Sequence, residues 1–221
     1  MRLPTRGETV YETSWKPLQD RLTNDQLELL FWLDIVRTDD AITQRDTYQS
    51  QVARMQALAG EADVEADVAR FNRLSELLQL ILKPSREHDP GVQLRLRRLS
   101  AWGTTTVYPM LLHLLERRSL GLSTNPEIAQ AMLILESYLV RRVLIGRATA
   151  NLNRVLLRAV PEIRDDEPAD VSLRRYLSTG RKYFATDEQA RSSVKTTAFY
   201  YSGRSPQRKL VLTWLEDTYS S

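Results

Sequence analysis

The chain has 221 residues, 42% hydrophobic and 27% charged, a balance that argues against general disorder. It contains no cysteine and only two histidines, His88 and His113, far apart in sequence. Disulfides, thiolate zinc sites, iron–sulfur clusters and Cys nucleophiles are excluded, and a His-rich metal site within the chain is not expected. The net charge is +3, unevenly spread: residues 1–100 carry −2 and residues 101–221 carry +5. A polyanion would prefer the second half.

The pattern is helical almost throughout. Thr23-Asn24-Asp25-Gln26 has capping-box spacing and opens the nearly all-apolar run Leu27–Val36, which must be buried on most sides. Further helices are expected from Ala41 to about Leu58 and from Glu61 to Leu82, where Pro84 stops the chain. Leu94, Leu96 and Leu99 start the next, closed by Trp102-Gly103. Pro109 stands at the first helical position of Met110–Arg118, and Gly121 ends that helix. Thr124-Asn125-Pro126-Glu127 starts a long helix that runs to about Ile145, with Gly146 after it. Short helices follow at Asn151–Val160 and Val171–Leu177. Thr186-Asp187-Glu188-Gln189 is a second capping box for a helix to about Thr197, and the last helix runs from about Pro206 to Asp217. No strand pattern or internal repeat is visible. The reading is an all-α, bundle-like fold of roughly eight to ten helices, with residues 1–167 as the body and 168–221 as a smaller helical appendage.

The N-terminus has no signal-peptide pattern, and no apolar run approaches the roughly 20 residues that span a bilayer. The longest candidate, Ala129–Ile145, is interrupted by Glu136, Arg141 and Arg142. A cytoplasmic protein without a membrane partner is expected. There is no Walker loop, no G-x-G-x-x-G and no G-x-S-x-G, so no catalytic residue, metal ligand or cofactor site is assigned. The acid groups Asp39-Asp40, Asp165-Asp166-Glu167 and Asp187-Glu188 read as solvated or capping. His113, among leucines, reads as a hydrogen-bonded core or boundary histidine, and His88 as a surface one.

Basic residues carry the remaining signal. From Arg141 to Arg158 there are five arginines and no acid. Arg141, Arg142, Arg147 and Arg154 are candidates for DNA-backbone contact, with Asn151 and Asn153 as nearby donors. Arg141 and Arg142 could instead form an internal ion pair with Glu136 or another acid. A second cluster, Arg204 and Arg208 beside Phe199-Tyr200-Tyr201, could contact nucleic acid, or its aromatics could pack the last helix.

Several phrases in order resemble a known family. They are Trp102-Gly103-Thr104-Thr105-Thr106-Val107-Tyr108-Pro109, then Leu135-Glu136-Ser137-Tyr138-Leu139-Val140-Arg141-Arg142, then Gly146, Thr149, Asn151, Leu152 and Asn153. Later come Tyr183-Phe184-Ala185-Thr186-Asp187-Glu188, Phe199-Tyr200-Tyr201-Ser202-Gly203-Arg204 and Lys209-Leu210-Val211-Leu212-Thr213-Trp214-Leu215-Glu216. This series resembles the central helical region of GmrSD-type proteins, the modification-dependent restriction and phage-defence endonucleases. The nucleotidase motif D-G-Q-Q-R of that family is absent, and the chain ends before its nuclease histidine would stand. The resemblance implies the middle of a larger protein, a non-catalytic connector between nucleotidase and nuclease domains. Its partners would be those flanking domains and double-stranded DNA. The alternative is an interaction scaffold, whose partner would be another protein or a second copy of the chain.

Overall fold

The computed structural model describes residues 5–147, 150–196 and 205–219. Every regular element among them is helical and no strand occurs, in agreement with the all-α reading. Two short helices precede those expected: α1 (Arg6–Val10) and α2 (Lys16–Arg21), joined by the π-helical turn Tyr11–Trp15. Their start is a capping box of its own. The Thr5 hydroxyl accepts from the Glu8 amide, and the Glu8 carboxylate accepts from the Thr5 amide at 2.6 Å.

Helix α3 (Asn24–Val36) begins with both halves of the Thr23–Gln26 box in place. The helix expected from Ala41 is shorter. The Asp46 carboxylate accepts from the Thr43 amide and hydroxyl, which tightens Gln44–Asp46 into a 3-10 turn, so α4 covers Thr47–Gln56. Helix α5 (Glu61–Leu82) ends before Pro84 as its sequence requires. Helix α6 (Pro90–Trp102) starts ahead of Leu94, because Asp89 accepts the Val92 amide at 2.9 Å and Pro90 takes the first helical position. Leu94 itself is exposed. Helices α7 (Tyr108–Ser119) and α8 (Asn125–Leu144) follow, then α9 (Leu152–Leu157), whose expected continuation is the 3-10 turn Val160–Glu162. The last three are α10 (Ala169–Ser178), α11 (Asp187–Thr196) and α12 (Ser205–Tyr219).

Helix α8 is the axis of the packing. Helices α6, α7 and α10 all lie against it. It buries Ile128, Met132, Leu135, Tyr138 and Leu139. Helix α7 supplies Met110, Leu111, Leu112, Leu114 and Leu115, and α5 supplies Leu74, Leu78 and Ile81. Each such side chain contributes about 1.5–3 kcal/mol on removal from water. Ala169, Leu173 and Leu177 of α10 belong to the same core, so the helix at the head of the expected appendage shares it. Helix α12 docks on α6 through Trp214, whose ring stacks on Trp102 with centroids 6.0 Å apart. Among the described residues no helix is long and apolar enough to cross a membrane.

Candidate nucleic-acid interface at the end of helix α8

Gly146 ends α8 in a Schellman motif. Its amide donates to the Val143 carbonyl at 3.1 Å, and the Arg147 amide donates to the Arg142 carbonyl at 2.8 Å. That closure uses a left-handed φ of 65° at Gly146, which a residue without Cβ adopts at little cost. The last turn therefore presents Arg141 and Arg142, and the cap sets the course of Arg147.

The first two arginines turn inward. Arg141 donates to Ser137 Oγ at 3.0 Å, to the Ala185 carbonyl at 2.9 Å and to the Asp187 carboxylate at 2.5 Å, and its guanidinium lies over the Phe184 ring. Arg142 is 3% exposed. It donates to Tyr138 Oη at 3.2 Å, to the Lys182 carbonyl at 3.4 Å and to Asn151 Oδ1 at 3.1 Å. Both act as cross-links that hold the segment 182–187 on α8. The expectation that they reach a DNA backbone competes with these internal contacts, which engage Arg141 with an acid and a carbonyl and Arg142 with Tyr138, Lys182 and Asn151. The acid is Asp187, whose carboxyl is held below its ordinary range by the Arg141 hydrogen bond. Glu136 pairs instead with Arg95 at 3.0 Å and Arg98 at 2.9 Å on α6.

The other candidates are scattered. Asn151 is exposed, but its side-chain oxygen serves Arg142. Arg154 and Asn153 are exposed on α9, and Asn153 lines a cavity of about 220 Å³ with Trp102, Thr104 and Gln207. Arg208 is half-buried, with its Nε lacking a hydrogen-bond partner. Arg204 and Phe199-Tyr200-Tyr201 lie outside the described residues. Arg147 is the exposed member of the run that stays at the end of α8, and its guanidinium lies 4.3 Å above the Tyr183 ring.

Tyr183 was not expected to matter. Among the described residues it is the one non-glycine with positive φ, 65°. For a residue with a Cβ that conformation costs about 1–2 kcal/mol. Its hydroxyl accepts from Gln189 Nε2 at 3.3 Å. No sequence pattern marks such a position, because tyrosine has no preference for left-handed backbone.

The richer cluster lies in the first half and is structural. Asp34 is buried in α3 and receives Arg70 at 2.6 Å, Arg37 at 2.8 Å and Arg54 at 3.3 Å. Arg37 also pairs with Glu116 at 2.5 Å, and Arg54 with Asp67 at 2.7 Å. Arg54 and Arg70 each lie 4.9 Å from the centre of the Phe71 ring. Burial pushes the Asp34 carboxyl upward, but the hydrogen bonds and charges of Arg70 and Arg37 outweigh it and hold the group below its ordinary value. The signal for this hub was a lone Asp inside the apolar run Leu27–Val36. Other acids are likewise met by arginines: Asp40 by Arg158, Asp165 by Arg117, Asp166 by Arg164 and Glu167 by Arg175. His113 differs from its expected form, since its Nε2 is buried without a hydrogen-bond partner. Burial, with the charges of Arg37 and Arg117, pushes its pKa down to about 4. Among the described residues no three His, Asp or Glu side chains are grouped to hold a metal ion.

Compared with known proteins, the chain matches no family model, no curated protein and no solved structure.

Proposed function

We propose that this chain is a cytoplasmic, non-catalytic helical coupling module of a DNA-cleaving restriction or phage-defence system, and that it contacts the duplex backbone. One observation carries the DNA contact. Arg147, Arg154, Arg181, Arg191 and Lys195 are exposed and form no ion pair among the described residues. Most arginines elsewhere in the fold are held by a carboxylate or a carbonyl. Arg45, Arg73, Lys83 and Arg97 are also exposed without an ion pair among the described residues, but they lie in the half of the chain that is net negative, so the second-half cations are the better placed to meet an external anion. The restriction context rests on the sequence resemblance. A coupling role agrees with helices braced against each other by buried guanidinium–carboxylate contacts, which transmit displacement as rigid bodies.

The test is fluorescence anisotropy of the chain with a short labelled duplex at two salt concentrations. Affinity is expected to fall steeply as salt rises, because each neutralised phosphate releases counterions. Absence of binding at low salt overturns the DNA contact.

A second reading, an interaction scaffold, is favoured by an apolar groove in the first half. Trp15 and Val68 are common to two adjoining hollows, one beside Tyr11 and Val64 and the other beside Tyr48 and Met55. Those four flanking side chains are exposed. Sedimentation at several concentrations separates the readings, since self-association without DNA binding supports the scaffold.

A further inference from the structure

Between the end of α8 and one face of α11 lies a groove of about 390 Å³, walled by Ile145, Arg147, Tyr183, Gln189, Ser192 and Thr196. We infer that this groove is where a nucleic-acid phosphodiester backbone is held, an assignment that rests on the DNA-contact reading above and gives it a place.

The groove is built and held on both sides. At its α8 end the Gly146 cap ties the Arg147 amide to the Arg142 carbonyl. On its α11 side Ser193 Oγ donates to the Leu144 carbonyl at 2.7 Å, and Asp187 is tied to Arg141. Helix α11 therefore has a fixed position relative to Arg147.

Its chemistry suits an anion. None of the walls carries a carboxylate, whereas they offer a guanidinium, a carboxamide and hydroxyls. The Arg147 guanidinium stacks on Tyr183 and makes no hydrogen bond or ion pair among the described residues, so its fork of N–H donors remains available. Tyr183 is kept in a left-handed conformation to place that ring, and Gln189 fixes the ring by its hydroxyl. A strained residue whose ring positions an unpaired guanidinium is the pattern of a binding site rather than of a core contact.

The spread of charge selects a polymer over a single small anion. Arg191 and Lys195 form a stripe one helical turn long on α11, about 100° from the stripe Ser192–Thr196 that lines the groove. Both are exposed. Cations that flank the groove rather than converge on one point fit successive phosphates of a strand. Because one face of Tyr183 is covered by Arg147, the ring is assigned to positioning and not to base stacking, and binding should be insensitive to sequence.

The experiment compares wild type, Arg147→Ala, Tyr183→Gly and Lys195→Gln by anisotropy with the labelled duplex, alongside thermal melting of each protein. Arg147→Ala and Lys195→Gln are each expected to weaken binding several-fold and to lower the slope of log affinity against log salt by about 1. Tyr183→Gly is expected to weaken binding while the melting temperature stays level or rises, because glycine relieves the backbone strain. A merely structural Tyr183 would not separate those two readouts. Wild-type binding that all three variants retain overturns the groove and leaves the DNA reading standing. Loss of wild-type binding at low salt overturns both. Displacement of the duplex by inorganic phosphate, beyond the effect of chloride at equal ionic strength, overturns the polymer assignment in favour of a small-anion site.

Discussion

The Asp34 hub and the α8 seam solve the same problem with opposite polarity. In the hub a carboxylate lies at the centre and three arginines from α4, α5 and the end of α3 surround it. In the seam two arginines of α8 reach across to the carbonyls of Lys182 and Ala185, and the acid paired with Arg141, Asp187, is 62% solvent-exposed. A buried central anion makes the surrounding cations interdependent. Arginines that grip backbone oxygens act more nearly one by one, and their loss frees a segment rather than a core.

The difference sets an order of effects. Asp34→Ala leaves three guanidinium groups without their shared partner and is expected to lower stability by about 3–5 kcal/mol, the cost of breaking a buried pair from one side. Urea unfolding measures it, and a loss under about 1 kcal/mol would show that the hub is dispensable. Arg142→Ala removes the contacts to Tyr138, Lys182 and Asn151 and is expected to cost about 2–3 kcal/mol. Its signature is local: amide exchange should accelerate in residues 182–187 more than in α5. Uniform acceleration would mean that the seam is part of the global unfolding unit.

His113 supplies the third effect, through pH. Its folded-state pKa is depressed to about 4 from an ordinary 6.5, so the unfolded chain takes up the proton first as pH falls. The stabilising contribution is complete above 6.5 and disappears as pH drops to about 4. The expected loss is about 1–3 kcal/mol across that window. His113→Gln should flatten it, whereas Asp34 begins to lose its contribution only below its ordinary value of 3.8. The smallest effect belongs to Asp187→Asn at the exposed end of the seam. It should leave the melting midpoint unmoved, because solvent screens that pair. A clear drop would place the Arg141 contact closer to the hub in kind.

Legibility in the sequence followed the range of the interaction concerned. Capping boxes at Thr23 and Thr124, the Pro at the start of α7 and the Gly stops at 121 and 146 are local, and the helices they bound formed where the pattern placed them. The start of α4 was misplaced because a side-chain contact between Thr43 and Asp46 competed with helix initiation. The N-terminal helices were missed although Thr5-x-x-Glu8 carries the same box spacing. The pairing of arginines was illegible, since Arg37 finds Glu116 and Arg158 finds Asp40 across long stretches of chain. The basic run from Arg141 to Arg158 is divided for that reason, with Arg141, Arg142 and Arg158 engaged inside the chain. Adjacent arginines on a helix diverge by about 100°, and here Arg142 is buried, Arg141 is half-buried against Asp187 and Arg147 is exposed.

Arg98 has a place in two contacts at once. It pairs with Glu136 of α8 at 2.9 Å, and its guanidinium lies 5.1 Å from the centre of the Trp214 ring of α12. Whatever pulls α12 away from α6 removes one of these contacts, and whatever neutralises Glu136 alters the other. The linkage is reciprocal: a binding event that favours a docked α12 must, to the same degree, favour the Arg98–Glu136 arrangement at the centre of the bundle. Trp214 thus ties the position of the last helix to a carboxylate on α8 through a single guanidinium.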